Sequence, residues 1–191
     1  MYSENNVIKI ALTGKLRSGK SEIAVHLWMR HGFEYPISFG STLKYYAEKV
    51  FALTPKPDGK PRAMYQAFGQ ACRQYDPDVW VRHAAFKVDT VLEKRSTVGV
   101  VIEDLRQPNE YEWCRANGFI IVRVTAPDEL RIARAKAAGD DFSAEDLAHE
   151  TEQHIDGFAV DYEIHNDRTV EELLAKVDEL VDEIKRKGAI E

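Results

Sequence analysis

Short apolar runs alternate with amphipathic stretches along the whole chain. Val7 to Thr13 (VIKIALT), Val98 to Ile102 (VGVVI) and Phe119 to Thr125 (FIIVRVT) are mostly apolar and rich in β-branched residues. Each predicts a strand buried on both faces. Tyr162 to Ile164 predicts a shorter strand, and Glu34 to Phe39 a weak strand or loop broken by Pro36.

The stretches between them repeat their apolar positions at three and four residues, the period of a helix. Helices are predicted from about Lys20 to Arg30, stopped by His31-Gly32, and from Ser41 to Leu53, with Ser41 or Thr42 as N-cap. Others are predicted over Arg62 to Tyr75, Pro77 to Arg95, Pro108 to Asn117 and Asp128 to Ala138. Ser143 predicts the cap of another from about Ala144, and Thr169, with Glu172 three residues on, that of a final helix to about Lys187. Thr54 to Pro61 holds three prolines and a glycine and reads as a loop.

Strands alternating with helices imply an α/β fold, a parallel sheet covered on both faces. The stretch 41–95 has no strand between its helices, so it reads as a helical insertion beside the sheet. At 191 residues the chain suits a single domain.

The motif at 14–21 makes the picture more specific. Gly14-Lys15-Leu16-Arg17-Ser18-Gly19-Lys20-Ser21 fits G-x-x-x-x-G-K-[ST] and sits between a strand and a helix. Glycines let successive backbone N–H groups turn toward a phosphate, and the helix points its positive end at the same spot. Lys20 would reach the terminal phosphates and Ser21 would ligate Mg²⁺. The fold class expected is therefore a three-layer phosphate-loop (P-loop) NTPase. Lys15 and Arg17 would add charge to the loop or lie in solvent. The motif alone does not choose among a kinase, a GTPase and a motor. The absence of N-K-x-D weakens the GTPase reading, and the chain is short for a motor.

Ligands of parallel sheets sit at the carboxyl ends of strands. Glu103-Asp104-Leu105-Arg106 follows VGVVI. Asp104 is preferred over Glu103 as the acid that holds Mg²⁺, and Arg106 would face the same cleft; an ion pair at a strand end is the alternative. Arg131 and Arg134, three apart on a helix, would supply charge to a transferring phosphoryl group from a lid-like segment over about 128–156, hinged near Gly139. A solvated helix face is the alternative. His149 and His154 lack a metal-site pattern and read as structural or surface residues.

Composition bounds the rest. Hydrophobic residues make up 44% and charged residues 30%, a globular balance. Lys and Arg number 26 against 32 Asp and Glu, and the net charge of −6 argues against a polymeric nucleic acid as partner. Cys72 and Cys114 form neither a disulfide framework nor a metal spacing. The N-terminus lacks signal-peptide features, and no apolar run approaches the roughly 20 residues of a membrane span. A soluble, cytoplasmic protein with no membrane partner is expected; a homodimer is left open.

The runs TGKLRSGKS, FGSTLK, AFGQACRQYDPDVWV, VVIEDLRQPNEYEWCRANG and DYEIHND, in this order over nearly the whole chain, resemble the deoxynucleoside monophosphate kinases known best from phages, within the nucleoside monophosphate kinase group. Animal-type phosphomevalonate kinases have similar blocks. Dephospho-coenzyme A kinases share the loop and the late D-Y-x-I-x-N. The family often has Asp after the loop lysine, where this chain has Ser21.

The resemblance implies ATP- and Mg²⁺-dependent phosphoryl transfer to a (deoxy)nucleoside monophosphate. Gly14 to Ser21 would hold the ATP phosphates. Phe39, Lys44, Arg73 and Trp80 would line the acceptor site, Asp104 and Arg106 would lie between donor and acceptor, and Asn166 would lie near the adenine. Each has a plainer alternative: Trp80 as core, Lys44 and Arg73 as surface charges, Asn166 as a turn. Another small acceptor, dephospho-coenzyme A or phosphomevalonate, is the second kinase reading. An ATP-binding regulatory protein with slow hydrolysis is the reading from another class.

Overall fold

The computed structural model describes residues 7–55, 59–94, 96–139 and 154–188. Its four strands are β1 (Ile8–Thr13), β2 (Gly99–Leu105), β3 (Ile120–Thr125) and β4 (Tyr162–His165). They form one parallel sheet in the order β2-β1-β3-β4. Helix α1 (Lys20–His31) follows β1, and α2 (Phe39–Val50), α3 (Arg62–Tyr75) and α4 (Val79–Leu92) all precede β2. Then come α5 (Pro108–Ala116), α6 (Asp128–Ala137), a 3₁₀ turn (Ile155–Gly157) and α7 (Val170–Gly188).

Side chains alternate across the strands, so both faces of the sheet are apolar. Ile10 and Leu12 of β1 join Val101, Val122 and Val124 under α1 and α7, packing on Ile23, Leu27, Val177 and Val181. Ala11, Val100, Ile102 and Ile121 point the other way, toward Val81, Ala84 and Val88 of α4 and Cys114 of α5. The result is the three-layer α/β arrangement. The chain between α1 and β2 runs beside the sheet edge, with single bridges from Phe33 to Gly99 and from Ile37 to Ile102. That is the weak strand expected around Pro36.

Element boundaries differ from the sequence reading where tertiary contacts set them. Helix α2 begins at Phe39 after Ser38, not at Ser41 or Thr42. Helix α4 begins at Val79, so Pro77 precedes it. Strand β2 extends to Leu105, which puts Glu103 and Asp104 inside it. Thr169 caps α7 as expected, accepting from the Glu172 N–H at 3.2 Å. The helix expected from Ala144, its cap Ser143, and His149 lie outside the described residues. Among the described residues, no helix is long and apolar enough to cross a membrane.

Candidate active site

β1 is hydrogen-bonded to both β2 and β3, and the chain leaves its carboxyl end directly into the glycine-rich loop. The loop backbone is unusual in the way that the motif requires. Gly14 has φ 141° and Gly19 φ 107°. A methyl group at Gly14 would overlap the Val124 carbonyl, and one at Gly19 the Asn166 amide. Arg17, at φ 61°, is the only non-glycine with positive φ among the described residues. Such a conformation in a residue with a Cβ is held by its surroundings.

Those surroundings come from far along the chain. Asn166, just past β4, is buried and donates its amide to the Ser18 carbonyl at 2.8 Å. Arg131 on α6 is only 2% exposed and donates to the Leu16 carbonyl at 3.0 Å, while Asp128 holds its guanidinium at 2.7 Å. Arg134, one turn on, reaches the Asn166 side-chain oxygen at 3.1 Å and the Arg17 carbonyl at 3.5 Å. Lys20, largely buried, donates its ammonium to the carbonyls of Gly14 at 2.5 Å and Lys15 at 2.9 Å. The fully buried Ser18 hydroxyl has no hydrogen-bond partner among the described residues.

In front of the loop lies a cleft of about 710 Å³. Its cations are Arg17, Lys20, Lys44, Lys60, Arg62, Arg73, Arg106 and Arg134; its carboxyl groups are Glu22, Glu103, Asp104 and Glu110. Eight positive groups against four negative ones give it a net positive charge, which suits anions. One wall is the loop; the other is built from α2, α3 and the segment before α3, with Leu43, Tyr65 and Gln66 among its other lining residues.

Asp104 and Glu103, adjacent on β2, do different things. Asp104 is consumed by α2. It accepts from the Ser38 hydroxyl at 2.6 Å and from the backbone N–H groups of Phe39 at 2.8 Å and Gly40 at 3.0 Å. Ser38 is the N-cap residue, and Asp104 satisfies the first N–H groups of α2 from another element, which is why that helix starts earlier than its own sequence suggests. Glu103 instead hydrogen-bonds Ser21 and lies near Lys20 and Lys44. Burial, then the charge of Asp104, pushes its carboxyl above the ordinary value, and the Ser21 hydroxyl and the two lysines partly counter this. Ser21 with Glu103 is the oxygen pair beside the loop that fits a hard divalent cation. The sequence ranked Glu103 second.

Other expected residues divide. Lys44, Arg73 and Arg106 line the cleft. Phe39 borders it, but its ring is buried against Trp113. Trp80 does not line it. Its indole is 3% exposed, donates to the Gly69 carbonyl at 3.3 Å and packs on Phe68 and His83, so it belongs to the core between α3 and α4. Lys15 turns to Asp156 at 3.3 Å. Arg131 faces a small cavity behind the loop, whereas Arg134 faces the main cleft, so the two do not act from one surface. His154 is exposed.

Sequence reasoning passed over Glu110, Lys60 and Arg62. Glu110 closes a capping box at the start of α5 by accepting from the N–H groups of Arg106 at 2.9 Å and Gln107 at 3.0 Å. Burial first, then the Asp104 charge, pushes its carboxyl up to about 7. A glutamate two residues after the helix-starting proline was the available signal. Lys60 and Arg62 sat next to a loop whose position beside the cleft only the fold reveals.

Comparison with known proteins agrees with this fold. A family model described as an AAA domain matches residues 10–153. No curated protein matches the chain in sequence. Among solved structures the chain is similar to TT1252 of Thermus thermophilus, at 18% identity over 94% of this chain and 98% of that one, with a TM-score of 0.57. It is similar to a shikimate kinase of Bacteroides thetaiotaomicron, at 15% identity over 92% and 98%, with a TM-score of 0.52. It is also similar to a dephospho-CoA kinase of Campylobacter jejuni, at 15% identity over 92% and 96%, with a TM-score of 0.51. The chain, three-layered and carrying the phosphate loop between β1 and α1, belongs to the AAA domain family.

Proposed function

We propose that the protein is an ATP- and Mg²⁺-dependent phosphotransferase whose acceptor is a small phosphorylated molecule, a (deoxy)nucleoside monophosphate. The observation that carries this is the double concentration of positive charge in one cleft: the phosphate loop on one side, and Lys44, Arg62, Arg73 and Arg106 on the other. A neutral acceptor such as a sugar would make no use of the charge of that second group. The acceptor region is the helical stretch of about 41–95; the lid-like segment expected over about 128–156 lies outside the described residues from 140 to 153, and within it α6 carries Arg131 and Arg134. The ordered resemblance of five sequence blocks to deoxynucleoside monophosphate kinases favours a nucleotide among phosphorylated acceptors.

The roles follow from position. The loop N–H groups and Lys20 bind the ATP phosphates. Ser21 and Glu103 would hold a magnesium ion, which would supply charge to neutralise the phosphates. Arg106 and Arg73 hold the acceptor phosphate, and Arg134 adds charge from the lid side. The attacking oxygen is already an anion, so no strong general base is needed. The protein aligns two anions that repel each other and screens that repulsion.

A phosphotransfer screen tests this: ATP with each nucleoside monophosphate, dephospho-coenzyme A, phosphomevalonate and shikimate. A nucleoside diphosphate as product is expected. Turnover only with dephospho-coenzyme A or phosphomevalonate would keep the phosphotransferase and replace the acceptor. ATP hydrolysis with no acceptor phosphorylated would favour a regulatory ATP-binding protein.

A further inference from the structure

At the far end of α1 from Lys20 is a cluster that phosphoryl transfer does not use. We infer that His26, His31 and Asp178 form a binding site for a divalent transition metal of the zinc class. Both histidines lie on α1 and Asp178 lies on α7, so the site joins two helices of the same layer. The Nε2 atoms of His26 and His31 approach the same carboxylate oxygen of Asp178, at 2.6 and 2.7 Å. The rings meet edge to face, with centroids 5.3 Å apart. The three ligand atoms all lie within 4.8 Å of one another.

The donor set selects the metal. Two imidazole nitrogens and one carboxylate oxygen suit Zn²⁺, Co²⁺ or Ni²⁺ and ill suit Mg²⁺, which prefers an octahedron of oxygens. The histidine side chains are 15% and 11% exposed, so their rings are already fixed by packing. Asp178 is 48% exposed, which opens the cluster to solvent on one side and leaves room for a water as fourth ligand.

The required adjustment is small. Bonds of about 2.0–2.1 Å in a tetrahedron place ligand atoms about 3.3 Å apart. Each nitrogen–oxygen contact must therefore open by roughly 0.6 Å, a swing that a half-exposed aspartate can make. The metal replaces the two hydrogen bonds to Asp178 and cross-links α1, which carries Lys20 at its start, to α7. His26 and His31 lie six and eleven residues from Lys20, about 9 and 16 Å along the helix axis, and neither they nor Asp178 line the phosphate cleft, so the site is separate from it.

Co²⁺ titration of the full-length protein in excess Mg²⁺ tests the site, with the visible absorption of protein-bound Co²⁺ as readout and Zn²⁺ as competitor. One equivalent should bind and be displaced by Zn²⁺. Loss of an outer-shell partner typically weakens a metal site about 10–100-fold. Removal of a direct ligand in His31→Gln or Asp178→Asn should weaken Co²⁺ by at least about 100-fold on that scale. If a variant fails to fold, the wild-type protein still decides: Zn²⁺ should shift the imidazole ¹⁵N resonances of two of the six histidines, and these must be His26 and His31. No stoichiometric uptake, uptake unchanged in His31→Gln, or shifts confined to other histidines would overturn the assignment and leave the cluster as a hydrogen-bonded clip. None of these readouts depends on phosphotransfer, so the metal site and the proposed reaction stand or fall separately.

Discussion

Replacing Asp104 by Asn separates the two acids of β2. The wild-type carboxylate accepts from two backbone N–H groups at the start of α2 and from the Ser38 hydroxyl. The amide keeps one acceptor oxygen, loses the charge, and turns an NH₂ group toward donors. Loss of an anion at a helix N-terminus costs about 0.3–2 kcal/mol. A donor left without its acceptor costs about 1–3 kcal/mol. Together these give about 3 kcal/mol, a large share of the roughly 5–15 kcal/mol that a domain has. At about 2–4 °C per kcal/mol for a chain of this size, the melting temperature should fall by about 6–12 °C. Urea and thermal unfolding measure this; Mg²⁺ titration of phosphotransfer completes the assay. Glu103→Gln should do the reverse. Its carboxyl is already disfavoured as an anion by burial and by Asp104, so stability should hold or rise, while the Mg²⁺ requirement of turnover shifts to higher concentration. A stable Asp104→Asn variant with impaired Mg²⁺ dependence, beside a Glu103→Gln variant with normal dependence, would refute the division.

Four further outcomes follow from the contacts of the cleft and the loop. Glu110 has its folded value raised to about 7 from 4.5, so between those pH values the folded state holds a proton that the unfolded chain has released. Its contribution is complete below about pH 4.5 and is lost as pH rises through about 7, up to about 3 kcal/mol; Glu110→Gln, which keeps an acceptor oxygen, should flatten that slope in urea unfolding against pH. Arg131→Ala should lower stability by about 2 kcal/mol and weaken ATP binding in calorimetry, because Arg131 braces the loop backbone. Arg134→Ala should mainly lower kcat, and equal kinetic defects in the two would return them to one shared role. Lys20→Ala should remove at least about 100-fold of transfer on the scale of a lost electrostatic contact, with the fold intact by circular dichroism; wild-type-like turnover would refute the loop argument.

The three longer strands were legible because each is a short, mostly apolar run set between stretches of helical period. The phosphate loop was legible because eight adjacent residues carry its chemistry. What was hidden depends on pairs distant in sequence. Nothing near Ser41 indicates that α2 starts at Phe39, since the acceptor at its start is Asp104, 64 to 66 residues on. Arg131 and Arg134 share a spacing, and only packing shows that one turns behind the loop and the other toward the cleft. Trp80 has the same helical period whether it faces a substrate or a core. His26 and Asp178 are 152 positions apart, beyond any local pattern.

The phosphate loop is short, but its walls come late. Leu16 is held by Arg131, 115 residues downstream, and Ser18 by Asn166, 148 residues downstream. Closing such long loops costs chain entropy before any contact repays it. A nascent chain emerging from the ribosome therefore makes its glycine-rich segment first and acquires a shaped nucleotide receptor only after β4 has docked on β3. A nucleotide that binds only the finished shape favours the last stage of folding over every earlier one. Nucleotide should thus protect the completed protein strongly and chains truncated before residue 166 hardly at all, so that the ligand selects for completed synthesis.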